Sequence, residues 1–279
     1  MRESHILQMK NSYYFNDISK YLSVDTSVKI NELLLNNTLF ELTDKEFTSS
    51  SDAVIDNKHV FIKRSKDEYR VRYLINEYIV NSSLNKLNCI NFNHVYGLFN
   101  SEYKNYLFTV SDYIPHVKYD EILYRDIDYI LSHFMQVVLA LYYANKTMDY
   151  THYNLTHKNV LIKPCNNISI KYLTPLGYRY INTEDVSIVI NHKKSYIKNN
   201  KLVNNKSFVL LDVYTFLYSL TQLLKHDEKY RVMKKLLKFF IVDNVNTVDY
   251  STIDEFIIYF MQIHPNTLTI KPKYKVSTK

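Results

Sequence analysis

Only two glycines, Gly97 and Gly177, occur in 279 residues, where average usage near 7% would supply about 20. Glycine is the residue that enters positive φ without steric cost. A chain this poor in it must turn on Asn or Asp, which tolerate the left-handed region best, or avoid that region. A glycine-rich loop, in which bare backbone closes around a phosphate, is excluded.

The remaining composition describes a chain with a substantial core. Hydrophobic residues make up 46%, too many for a disordered chain. The length suits one large domain or two small ones. No apolar run approaches the roughly 20 residues of a membrane span. The start, Met1-Arg2-Glu3-Ser4-His5, leads into no apolar signal region. Cys89 and Cys165 are far apart, so a reduced, cytoplasmic setting is expected. A net charge of +7 and a pI near 9.0 suit an acidic protein, nucleic acid or anionic lipid as partner. The lysines are dispersed, with one loose basic stretch at Lys193, Lys194, Lys198, Lys201 and Lys206.

Along the chain the pattern changes once. Ile30–Leu35 reads as a short helix and Leu39–Leu42 as a first strand. Thr48–Asp52 reads as a polar turn. His59-Val60-Phe61-Ile62-Lys63 is a strand of β-branched and aromatic residues. Over 67–87, Tyr69, Tyr73, Leu74, Glu77, Tyr78, Val80 and Leu84 keep helical spacing. Strands follow at His94–Phe99 and Tyr106–Tyr113, joined by the polar Asn100–Asn105. From residue 120 helices dominate. Ile127–Tyr143 is apolar nearly all round and so is expected to be buried. Two short strands are expected at Val160–Ile162 and Val186–Ile190, with 163–185 an insert between them. Helices are expected over 208–225, 228–242 and 251–263, and 271–279 as a loose tail.

The segment Thr151-His152-Tyr153-Asn154-Leu155-Thr156-His157-Lys158-Asn159 precedes the strand Val160-Leu161-Ile162. It resembles the catalytic loop of protein kinases, and its wording is similar to kinase-like proteins of large cytoplasmic DNA viruses. The order of the elements from about 39 to 263 resembles that superfamily too. The implied fold is α+β and two-lobed, a single kinase-like domain. A small antiparallel β lobe with one main helix would span about 1–114, and a larger helical lobe about 115–270. The resemblance makes Lys63 the lysine that grips nucleotide phosphates and Glu77 its helix partner. Ser111 and Tyr113 would lie in the hinge that meets adenine, and His152 would be loop scaffold. Asp212, in Leu211-Asp212-Val213-Tyr214, would anchor the loop from within the protein. A competing placement makes Asp212 a metal ligand instead.

Three departures from the family pattern bear on chemistry. Asn154 stands where the proton-accepting aspartate belongs, and an amide is no base near neutral pH. A positioned base is worth about 10²–10⁴ in rate. Asn191, in Ile190-Asn191-His192-Lys193, stands at the metal-binding aspartate. With Asn159 and Asn191 both neutral, magnesium, a hard cation, would be held poorly. The phosphate loop, within Thr43–Asp52, has no glycine.

The leading expectation is therefore a pseudokinase that works by binding a protein, with ATP and magnesium held weakly at best. One alternative is an atypical but active serine/threonine kinase. Another is a basic, non-enzymatic binding or structural protein.

Overall fold

The computed structural model describes residues 48–55, 58–65, 68–100, 107–200, 202, 206–242, 245–246 and 251–277. It is an α+β protein with antiparallel sheets, and it divides into two compact units. The first takes the described residues up to Asn85 together with His94–Tyr113, and the second takes Lys86–Asn93 and the chain from Ile114 onward. The expectations for Ile30–Leu35, Leu39–Leu42 and the connection at 101–105 lie outside the described residues.

The first unit is a four-stranded sheet with one helix. Its strands are β1 (Thr48–Ile55), β2 (Lys58–Ser65), β3 (Val95–Asn100) and β4 (Leu107–Asp112), in the order β1-β2-β4-β3. Thr48–Asp52 is therefore strand, not the expected turn. β1 pairs with β2 along its length, from Thr48 opposite Ser65 to Ile55 opposite Lys58. Small hydroxyl residues do not oppose an extended backbone, and they suit a strand at the end of a sheet. In β2, Val60 and Ile62 alternate inward. β4, flanked on both sides, buries Leu107, Phe108, Thr109 and Val110 in succession.

Helix α1 (Glu68–Asn85) buries Leu74, Glu77, Val80 and Leu84 of the face expected from spacing, and Val71 and Ile75 beside them. Its end is tied to β3 by a reciprocal amide clamp. Asn85 Nδ2 donates to the Val95 carbonyl at 2.7 Å, and Val95 N–H donates to Asn85 Oδ1 at 3.3 Å.

The segment Lys86–Asn93, which the sequence reading left with the first half, belongs to the second unit. Phe92 bridges Val189 in parallel, and Asn91 Nδ2 donates to the Ser187 carbonyl at 2.8 Å.

The second unit is organised on helix α2 (Ile127–Met148). Asp126 caps its start by accepting from Tyr129 N–H, and Asp149 ends it at φ 54°. This helix runs a turn beyond the expected Tyr143. It is long and apolar enough to cross a membrane by length and composition, yet most of it is buried inside the protein. A core helix passes the same test. Phe134 on α2 stacks on Phe216 of helix α3 (Val209–Leu223) at 5.7 Å between ring centroids. Phe256 and Phe260 of helix α5 (Ile253–Ile263) close around it.

The expected helix over 228–242 is shorter. Helix α4 (Tyr230–Leu237) gives way to a 3-10 turn, Lys238–Phe240, and then to β8 (Ile241–Val242) paired with β9 (Val245–Asn246).

Residues 163–185 are not an insert. They are the body of one long hairpin, β6 (Val160–Thr174) with β7 (Gly177–Val189), and β5 (Val117–Lys118) pairs with the base of β6. The tight turn at its end uses Gly177 at φ 89°. Ile170, Tyr172 and Thr174 alternate inward.

The expected loose tail is also overturned as far as Ser277. Thr269 pairs with Tyr180 on the open edge of β7, and Val276 with Ser169 on the edge of β6. Between these points the amides of Lys273 and Tyr274 donate to the Ser169 hydroxyl. The segment is a strap across one face of the hairpin.

His133 on α2 is fully buried beside this hairpin, its Nδ1 2.8 Å from Ser187 Oγ. Burial pushes its imidazole down to about 3. The native state thus keeps it neutral while the unfolded chain protonates it near its ordinary value. The stability this residue contributes is present above about pH 6.5 and is lost as pH falls toward the folded value. Urea midpoints measured between about pH 4 and 7 should fall more steeply with acid for the native sequence than for His133→Asn.

Candidate functional site

The loop from Tyr150 to Asn159 is fixed by backbone pairing at its start. Thr151 exchanges both hydrogen bonds with Tyr196, at 3.0 and 2.8 Å, and its hydroxyl accepts from Phe208 N–H at 2.7 Å. Phe208 begins α3, so the loop and that helix start are joined before any charged group is considered.

Asp212 lies one turn into α3 and is 1% exposed. Its Oδ2 accepts from His152 N–H, and its Oδ1 accepts from Tyr153 N–H at 2.8 Å. Each oxygen thus accepts from a loop amide. An anchoring role would use these two contacts, and a metal ion placed here would have to share the same two oxygens. Burial raises its carboxyl to about 7, against the pull of the two amide donors. Tyr153 carries the strain of this arrangement at φ 59°. A non-glycine residue held there costs of order 1–3 kcal/mol.

His152 is buried and its ring is used twice. Nε2 donates to the Ile190 carbonyl at 2.8 Å, and Nδ1 accepts from Asn154 N–H at 3.2 Å. These partners fix one neutral tautomer. The ring of His152 thus ties the loop to the strand end at Ile190. His192, which the sequence reading passed over, is a second such residue. It is fully buried, faces His152 edge-on at 5.2 Å, and accepts from the Tyr150 hydroxyl at 2.8 Å through Nδ1. Its place directly after Asn191 was the available signal.

The three asparagines are brought together. Asn191 sits at φ 64°, and its Nδ2 donates to Asn159 Oδ1 at 2.7 Å. Asn159 Nδ2 in turn donates to the Asn154 carbonyl at 2.6 Å. The strand ends beside them pair through Ile190 N–H and the Asn159 carbonyl at 3.0 Å. The Asn154 side chain makes no hydrogen bond to a described residue and is half-buried. This network can orient a loop. It offers no proton acceptor of useful basicity and no carboxylate oxygen. The one amide oxygen that Asn159 could give a metal already accepts a hydrogen bond. Among the described residues no group of three His, Cys, Asp or Glu could hold a metal ion.

In the first unit, Lys63 on β2 reaches Glu77 on α1, Nζ to Oε1 at 2.6 Å. Their side chains are 21% and 9% exposed, so the pair is largely removed from solvent. The two residues expected to meet adenine have sheet roles. Ser111 Oγ donates to the Phe61 carbonyl at 3.4 Å, and Tyr113 N–H donates to the His59 carbonyl at 3.4 Å. Downstream, Pro115 has no N–H, and the Ile114 carbonyl lies 2.7 Å from His116 Nδ1.

Replacing Asp212 tests the anchor. Asp212→Ala leaves two buried N–H groups without acceptors, which should cost about 3 kcal/mol in urea unfolding. Asp212→Asn isolates the titration. A carboxyl whose folded value is raised stabilises the protein below about pH 4, and that contribution is lost as pH rises through about 7. The Asn variant should therefore show a steeper gain in stability than the native sequence between those limits. A scan against protein-family models and a search of curated proteins give no match to this chain.

Proposed function

We propose that this protein is a kinase-like fold that has given up phosphotransfer and acts by binding another protein. The observation that carries this reading is the Asp212 clamp on the amides of His152 and Tyr153. It serves a loop in which Asn154, Asn159 and Asn191 stand where the resemblance places a base and metal ligands. The 2.6 Å pairing of Lys63 with Glu77 adds to it, because that pair belongs to the same pattern and lies on the strand and helix expected for it.

An anchored loop with its charges removed is what a fold keeps when it needs the shape and not the reaction. Phosphoryl transfer depends on positioning and on charge at the phosphates. Here the amides bond to one another and supply no negative charge for a cation. A basic surface then suits an acidic protein partner, and a nucleic acid is the next candidate by charge.

The test is phosphate transfer from labelled ATP by the full chain, with magnesium or manganese, beside Asn159→Ala. We expect no transfer above that of the variant, and no metal-dependent rise in melting temperature with ATP. Sustained transfer that disappears in Asn159→Ala would make the protein an active kinase and end this reading.

A further inference from the structure

The end of the β6–β7 hairpin and the strap beside it carry four large apolar side chains out in water. Leu173 is 36% exposed, Leu176 53%, Tyr178 58% and Ile270 74%. They form one neighbourhood. Leu173 is opposite Tyr178, Lys171 is opposite Tyr180, and Ser169 is opposite Asn182. Opposed residues at alternate positions share a face. That face is the one the strap crosses, since Ser169 Oγ accepts from the Lys273 and Tyr274 amides and Asn182 Oδ1 from Lys273. Thr269, next to Ile270, pairs with Tyr180.

The same surface is basic. Lys171, Lys271, Lys273 and Lys275 are all exposed, and none has a carboxylate partner among the described residues. Two of them lie over aromatic rings, Lys171 at 4.0 Å from the Tyr178 centroid and Lys273 at 5.3 Å from that of Tyr274. The acid on this face of β7, Glu184, lies beyond Asn182, on the side away from the hairpin end.

We propose that this surface docks on an anionic lipid bilayer, with Leu176, Tyr178 and Ile270 entering the interface and the lysines meeting the headgroups. Apolar side chains at a hairpin turn, tyrosine beside them and unpaired lysines around them match the layers of such an interface. A nucleic acid would use the lysines and rings but has no use for exposed Leu and Ile. The proposal does not depend on the proposed function, and the phosphate-transfer assay leaves it untouched.

The chain has no tryptophan, so Leu176→Trp places a lone indole reporter at the hairpin turn. The full chain is mixed with phosphatidylcholine vesicles with and without phosphatidylserine. We expect sedimentation with the mixed vesicles only, weakened by salt, and a blue shift of the indole emission on binding. Each lysine near such a surface contributes about a fivefold gain in binding. Lys273→Gln with Lys275→Gln should therefore weaken binding by about tenfold or more. Leu176→Ser with Ile270→Ser should weaken it also, with melting temperatures like that of the parent. The proposal is overturned by absence of binding to mixed vesicles, or by binding that the variants do not alter and the indole does not report. Capture of a single-stranded oligonucleotide or an acidic peptide through these lysines, without vesicle binding, overturns it as well. If the lysine variants fail to fold, the indole emission alone decides.

Discussion

A single buried carboxylate holds the loop on which the second unit's candidate site is built. Two successive amides at His152 and Tyr153 point inward with no strand or helix to receive them, and buried amides without acceptors are expensive. Asp212 receives both. Its own removal from water is costly, as the rise of its carboxyl shows, so each side of the interaction needs the other. The left-handed turn at Tyr153 follows, because that conformation aims both amides at one side chain. Asn154 follows directly on this contact, and Asn159 is held in addition by Ile190 N–H and the Asn191 amide.

Amides differ from carboxylates in more than charge. A carboxylate only accepts hydrogen bonds, so neighbouring carboxylates need a cation or a proton between them. An amide both donates and accepts. Asn191 can therefore serve Asn159, and Asn159 the Asn154 carbonyl, with nothing added from outside.

Legibility in the sequence followed periodicity and local chemistry. The helix carrying Glu77, the strand carrying Lys63 and the core helix were readable, because each is set by spacing or by a short run of residue types. The scarcity of glycine also read through. Among the described residues, four of the five non-glycine residues at positive φ are Asn88, Asp149, Asn191 and Asn199, and Tyr153, beside Asp212, is the fifth. The long hairpin was misread because Pro164 and the bulge before Ile168 interrupt its alternation, although Ile170-Lys171-Tyr172-Leu173-Thr174 keeps a period of two. The strand at Thr48–Asp52 was hidden by its serines, which signal turns as readily as an outer strand. The lysine-rich 271–277 looked solvated, and its hold on the hairpin runs through backbone amides and Ser169, partners about a hundred residues away in sequence that no local pattern reveals.

That separation has a consequence during synthesis. Chains leave the ribosome from the N-terminus, at about 5–20 residues per second. The β6–β7 ribbon is therefore made well before the segment that closes its two open edges. Until Thr269 and Val276 arrive, unpaired backbone at Tyr180 and Ser169 remains open to any passing strand. A ribosome stalled inside helix α5 would display a ribbon ready to pair with a neighbour.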